Sequence, residues 1–272
     1  MNDDLMAKLD RLKAYIGDLG SLAVGFSGGV DSTLLLVVSH EVLGDRAIAV
    51  TSEDAGVPRH EVFSARDFCN ERGIRQVACS VDPLSIEEYR HNSPDRCYHC
   101  KKAIFSEIKR IAGENGIEYV AEGSNMDDLG DYRPGLKAVE ELGIVSPLRE
   151  AGLYKAEIRK LSKEMGLPTW DKPAYACLAS RFVYGEEITN EKLSMLDRAE
   201  QFLIDMGFRS ERVRIHGNLA RIEVLPEDIE RIASPDIRTG IAEEFKRIGF
   251  TYVTLDLMGY RVGSMNETLN CT

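Results

Sequence analysis

Four groups of residues combine types and spacing that suit chemistry. The first is Ser27-Gly28-Gly29-Val30-Asp31-Ser32, set between an apolar run and a helical one. Gly28 and Gly29 let the backbone approach a phosphate and adopt positive φ. Amides at the start of the following helix favour an anion, helped by the macrodipole. Ser27 and Ser32 add hydroxyl donors, and Asp31 is placed to hold a magnesium ion or to order the loop. Read as plain structure, the segment is a strand–helix turn with a serine cap; its context favours a phosphate loop. No lysine follows, so it is not the GxxxxGK[ST] loop of kinases and GTPases.

The second group is Cys97-Tyr98-His99-Cys100. In a cytosolic chain disulfides are not expected, so close cysteines point to metal or redox chemistry. The pair suits a metal–sulfur centre, a persulfide or disulfide relay, half a zinc site, or two inert thiols at a helix start. A helix N-terminus favours the thiolate. His99 reads as a surface or supporting group. Of the other cysteines, Cys69 and Cys79 read as core and Cys271 as part of the tail. The third group, Cys177-Leu178-Ala179-Ser180-Arg181-Phe182, adds a thiol, a hydroxyl and a guanidinium within one irregular stretch. The fourth is Arg212-Val213-Arg214-Ile215, where period 2 puts both arginines on one strand face. That face is either solvated or a clamp for phosphate, whose geometry the guanidinium fork fits.

These residues need elements to hold them. Short apolar runs at 21–26, 47–52, 75–81, 118–122 and 144–148 read as strands, and 32–43, 58–72, 100–113, 134–142 and 154–165 as helices. Alternation of this kind implies right-handed crossovers and an α/β fold, a doubly wound parallel sheet of about five strands. Residues 171–189 read as a linker or active-site loop, with Trp170, Tyr175 and Tyr184 as packing groups. Beyond it a helix (190–206), a hairpin (211–225, turning near Gly217-Asn218), a helix (236–248) and a strand (251–257) make a small α+β unit. The expected domains are thus 1–170, which carries the loop, and 190–272.

The 272 residues suffice for a real core, and 43% hydrophobic with 29% charged residues excludes disorder, collagen and a disulfide miniprotein. No apolar run approaches the roughly 20 residues of a membrane span. The acidic, amphipathic start MNDDLMAKLD is neither a signal nor a transit peptide, so a cytoplasmic location is expected. A net charge of −11 disfavours nucleic acid as a partner.

The Ser27–Ser32 loop resembles the PP-loop of the adenine-nucleotide α-hydrolase-like ATP pyrophosphatases. The resemblance covers the first 165 residues in pattern, through Thr51-Ser52, Glu122-Gly123-Ser124-Asn125 and Lys155-Ala156-Glu157-Ile158-Arg159. It implies that ATP binds, pyrophosphate leaves and AMP remains on a substrate oxygen. Ser52 would face the adenosine. Gly123 would lie in the loop near magnesium, where Asp127 and Asp128 match the acidic positions loosely.

Five stretches, at 92–102, 131–138, 177–182, 212–215 and 254–257, together resemble the LarE family, the ATP-dependent sulfur transferases of nickel-pincer-nucleotide biosynthesis, over nearly the whole chain. The substrate that this implies is pyridinium-3,5-biscarboxylic acid mononucleotide, with ATP and Mg2+ as the activating pair. A carboxylate would be adenylated and then converted to a thiocarboxylate. Cys177 matches the single cysteine that one group of the family sacrifices. The additional Cys97 and Cys100 resemble a three-cysteine subgroup in which the thiolates hold a [4Fe-4S] cluster. Its fourth iron stays open for sulfide from a source that the sequence does not identify. Lys101 and Glu200 match positions of interest in the family, and Arg181, beside Ser180 and four residues after Cys177, reads as an active-site residue. Arg133 would hold a loop or contact phosphate, and Arg212 and Arg214 would hold the mononucleotide phosphate. A homo-oligomer is implied. The rival readings are a tRNA thiolation enzyme, an ammonia-dependent amidating ligase and a nucleotide-binding iron–sulfur sensor.

Overall fold

The computed structural model describes residues 3–130, 134–173 and 177–261. Arg133, Tyr175 and Cys271 therefore lie outside the described residues. Two compact units divide the chain: Met1–Asp82 with Asp95–Lys172, and Pro83–Pro94 with Pro173–Thr272.

In the first unit the chain runs α1 (Asp3–Leu19), β1 (Leu22–Gly25), α2 (Val30–Leu43), β2 (Ala47–Ser52), α3 (Arg59–Glu71) and β3 (Gln76–Cys79). It then lends α4 (Glu87–Arg90) to the second unit. It returns with α5 (Arg96–Glu114), β4 (Tyr119–Ala121), α6 (Pro134–Glu141), α7 (Pro147–Glu150) and α8 (Lys155–Glu164). The four strands are all parallel, in the order β3-β2-β1-β4. Their residues alternate between two cores. Leu22, Val24, Ala47 and Ala49 join Leu5, Leu12, Leu34, Ile158 and Leu161 from α1, α2 and α8. Ala23, Ile48 and Val50 join Phe105, Ile108 and Val139 from α5 and α6. Helices thus cover both faces, which is the doubly wound α/β arrangement. Strand residues apolar on both faces read as continuous runs for this reason.

One expected strand, 144–148, is absent. Only Val145 pairs, as a single parallel bridge to Ala121. Pro147 has no N–H to give a ladder and instead opens α7, where its fixed φ suits the first turn. The sheet has four strands rather than about five. Helix α5 begins at Arg96, earlier than the apolar periodicity indicated, because its polar first turn carries no core residue besides Arg96. Trp170 packs at the surface, 36% exposed, with Lys163 Nζ 4.4 Å from its ring centroid.

The second unit adds α9 (Asn190–Asp205), β5 (Arg212–His216), β6 (Leu219–Glu223), α10 (Ile229–Ala233), α11 (Pro235–Ile248) and β7 (Tyr252–Leu255). The β5–β6 pair is antiparallel and β7 runs parallel to β6. Segment 83–94 is tied in by Asn92, buried at φ 51°, whose amide donates to the carbonyls of Phe182 (3.3 Å) and Val183 (2.6 Å). No helix among the described residues is long and apolar enough to cross a membrane.

Candidate active site

In the first unit the site forms where strand order reverses. β1 has β2 on one side and β4 on the other, so the loops after β1 and β4 diverge at the carboxyl edge and leave a crevice between them. Gly28 takes φ +69°, and a Cβ there would sit 3.5 Å from Glu61 Oε2. Gly29 is extended and caps α2, and its carbonyl accepts from the Thr33 amide. The hydroxyls of Ser27 and Ser32 lie 3.1 Å apart, and Ser32 also donates to the Gly29 carbonyl. A Cβ on Gly123 would come within 3.1 Å of the Ser32 amide nitrogen, a tight contact that glycine avoids where the β4 loop approaches the helix start.

Charged groups surround the loop. Asp31 forms an ion pair with Lys155 and accepts from Asn125 Nδ2 at 3.2 Å. Asp127 accepts from the Lys155 amide (2.7 Å) and Asp128 from the Asn125 amide (2.8 Å), so both acids brace the segments that hold Asp31's partners. Glu122 is buried. It accepts from the Ser124 and Ser146 hydroxyls at 2.7 Å each, with Lys101 Nζ 4.0 Å away. The Lys101 stem passes so close to Gly135 that a Cβ there would meet its Cδ at 2.7 Å. Ser52 is occupied locally, donating to Asp54 at 2.7 Å.

Lys172 carries no local signal in the sequence that marks it as part of the site. Its Nζ donates to the Gly28 carbonyl (3.0 Å) and to Glu61 Oε2 (2.5 Å). Arg159 on α8 holds it in place by donating to the carbonyls of Trp170 and Lys172 at 2.7 and 2.9 Å. Burial pushes the Glu61 carboxyl up, but His60 and Lys172 outweigh it and hold Glu61 below the usual carboxylate range. The loop thus has lysines on several sides and helix amides at its base, an arrangement that suits a polyphosphate. Asp31 supplies the oxygen donor that a divalent cation needs.

Cys97 (exposed) and Cys100 (half-buried) lie three residues apart in the first turns of α5, on one helix side. Cys69 and Cys79 are buried in the core, their thiols pushed up to about 12 and about 11 by burial, and are inert. His99 pairs with Asp95 at 3.2 Å. Among the described residues no group of three or more His, Cys, Asp or Glu is gathered as a metal site.

In the second unit Cys177 is exposed, its Sγ 3.6 Å from the Tyr89 hydroxyl. It opens the 3-10 turn Leu178–Arg181, which delivers Arg181 into the interior. Arg181 is fully buried. Nε and Nη2 donate to Glu200 Oε1 and Oε2 at 2.9 and 2.8 Å, and Nη1 donates to the Ser180 hydroxyl and the Cys177 carbonyl. Burial alone would raise Glu200. Arg181, Arg212 and the Val213 amide overcome this and hold it below the usual range.

Arg212 and Arg214 share a face of β5, and it is not solvated: they are 3% and 5% exposed. Arg214 donates to Glu223 (3.1 and 2.9 Å) and to the Ser180 carbonyl (2.9 Å). The Arg212 guanidinium lies 5.1 Å from the Tyr260 ring centroid, its pKa pulled down by burial and by the like charge of Arg181. So Ser180, Arg181, Glu200, Arg212 and Arg214 all lie in one unit, where Ser180 meets Arg181 through its hydroxyl and Arg214 through its carbonyl.

Over 274 residues the chain is 38% identical to pyridinium-3,5-bisthiocarboxylic acid mononucleotide synthase of Lactiplantibacillus plantarum, covering 97% of this chain and 96% of that one. It is 42% identical to an uncharacterized protein of Synechocystis sp., over 97% of this chain and 99% of that one. It is also 30% identical to one of the subunits of the glutamine-hydrolyzing GMP synthase of Thermoplasma acidophilum, over 72% of this chain and 68% of that one. No family model matches the chain.

Proposed function

The chain belongs to the LarE family within the PP-loop superfamily, and from that membership we propose that it is an ATP-dependent sulfur transferase acting on pyridinium-3,5-biscarboxylic acid mononucleotide. The observation that carries this reading is the phosphate loop at the sheet's switch point, with Asp31, Lys155 and Lys172 around it.

A carboxylate is a poor electrophile, because its leaving group would be an oxide. In the proposed reaction a substrate carboxylate oxygen attacks the α-phosphorus of ATP, the bond to the bridging oxygen breaks, and pyrophosphate leaves. A sulfur nucleophile then adds to the acyl carbon, and AMP departs with the bonding electrons. The loop amides, Lys155 and Lys172 offset the charge on the phosphates. Asp31 would hold Mg2+, which lowers the charge on the leaving pyrophosphate. Ser52 and Gly123 would border the nucleotide. Arg212 and Arg214 would hold the mononucleotide phosphate, with Arg181 and Glu200 fixing the strand behind them. Lys101 would approach the carboxylate as a cation.

Cys97, Cys100 and Cys177 have the accessible thiols that a [4Fe-4S] cluster requires, whereas Cys69 and Cys79 do not. These three would hold it, and its open fourth iron would carry sulfide taken up from outside the protein. The second unit exposes Tyr252, Leu257 and Met258 close together in sequence, which supports assembly into a homo-oligomer. Light scattering of the purified protein reads that state. The enzymatic reading is tested by pyrophosphate release from ATP, which the pyridinium dicarboxylate should stimulate and which Asp31→Ala should remove.

A further inference from the structure

Glu211 immediately precedes the arginine strand and has no role in the reaction described above. Its side chain is fully withdrawn from solvent, and neither carboxyl oxygen meets a hydrogen-bond partner from another residue among the described ones. An ionised carboxylate in that state would be very costly, and the group relieves the cost by keeping its proton. The preceding Ser210 has φ 61°, an uncommon conformation for a residue with a side chain, so local strain accompanies the inward placement of Glu211. The groups facing it are Arg212 on its own strand, Glu200 on α9 and Arg181 on the 3-10 turn. Arg212 Nη1 donates to the Glu211 main-chain carbonyl at 2.5 Å, which ties the guanidinium to the backbone of the residue that carries the acid.

We propose that Glu211 is a positioning residue that sets the anion affinity of the Arg212–Arg214 face: it keeps its proton while a phosphate is held there, and its ionisation weakens that phosphate. The proposal rests on the reading of these arginines as the phosphate clamp. Proton loss to solvent makes the Arg181–Glu200–Arg212 group one unit more negative. In a buried cluster that change is screened little. Neither Glu211 oxygen is accessible, so it acts through the guanidinium and does not touch the ligand. Burial first, then the like charge of Glu200, raises this acid to about 7 against its own backbone amide and the pull of Arg212 and Arg181. The exchange therefore falls near neutral pH. By linkage, a bound phosphate dianion raises Glu211 further, and binding takes up a proton.

The test is calorimetric titration of the whole protein with nicotinic acid mononucleotide, a pyridinium carboxylate bearing one phosphate, with AMP present to occupy the phosphate loop. Between about pH 7 and 8.5 the probe's phosphate stays largely dianionic, so its own titration does not weaken binding. The wild type should weaken roughly tenfold across this window and take up protons on binding at about pH 7.5. Glu211→Gln should bind at the upper pH as the wild type does at the lower one. A flat wild-type profile, or a slope retained in Glu211→Gln, overturns the proposal. If Glu211→Gln does not fold, proton uptake by the wild type in two buffers of different ionisation heat decides, and its absence overturns the proposal. Arg212→Ala and Arg214→Ala separate the two readings. Unchanged binding in both removes the phosphate clamp and this proposal with it. Lost binding alongside a flat wild-type profile removes Glu211 alone.

Discussion

Arg181 and Glu200 form a two-pronged ion pair, 0% and 2% exposed at their side chains, that ties the turn after Cys177 to helix α9. Glu200 Oε1 also accepts from the Val213 amide at 2.9 Å, so the same carboxylate sets the start of β5 between the two arginines. A pair so buried is sensitive to loss of one partner, because the other is left as an uncompensated charge. Glu200→Ala or Arg181→Ala should each cost about 3–5 kcal/mol in denaturant unfolding. The double change Arg181→Met with Glu200→Leu should recover most of that loss. Single costs below about 1 kcal/mol would contradict a pair held out of water.

The Lys172 contact gives a pH-dependent prediction. Glu61 is held below its ordinary range, so its stabilising contribution is present above the unfolded carboxylate value and is lost as pH falls through the lower folded one. Lys172→Ala should therefore destabilise the protein at neutral pH, and its deficit against wild type should shrink in acid. Melting curves across that window check the sign. A deficit that grows in acid contradicts it. The same variant should raise KM for ATP, since the Gly28 carbonyl loses its donor beside the loop.

Arg212→Ala and Arg214→Ala should weaken the pyridinium mononucleotide and leave ATP affinity unchanged. Each loss is about 1.5–3 kcal/mol if the guanidinium makes a charged hydrogen bond to phosphate. Arg214→Ala should also lower stability, because it removes a guanidinium partner of the buried Glu223. Separate titrations with nucleotide and substrate distinguish the two effects.

Much of this was legible from the residues alone. The Ser27–Ser32 loop sits between β1 and α2, the strand–helix context read from its residues, α2 spans the apolar run that Gly44 stops, and α9 and the β5–β6 hairpin follow their periodicities. Strand 144–148 misled because an apolar run carries no information about pairing, and Pro147 two residues after the bridge converts it into a helix start. The burial of Arg212 and Arg214 was hidden because Tyr260 beside Arg212, and Ser180 and Glu223 beside Arg214, lie on other segments, and strand alternation distinguishes faces without saying which is covered. Lys172 and Glu61 are 111 residues apart in sequence; nothing local marks either as part of the loop. The sulfhydryls divided more readily, since apolar neighbours mark Cys69 and Cys79 as core.

The central claim is ATP-driven replacement of a carboxylate oxygen by sulfur, and anaerobic turnover with ATP, magnesium, sulfide and pyridinium-3,5-biscarboxylic acid mononucleotide tests it most directly. Pyrophosphate and AMP should appear together with a thiocarboxylate identified by mass spectrometry, and Asp31→Ala should abolish all three. Cys97→Ala, Cys100→Ala and Cys177→Ala should each stop thiocarboxylate formation while leaving pyrophosphate release largely intact. Thiocarboxylate formed in a single turnover by Cys97→Ala and Cys100→Ala, with Cys177 left as dehydroalanine, would contradict delivery from a cluster. Absence of substrate-stimulated pyrophosphate release from the reconstituted wild type would contradict the account as a whole.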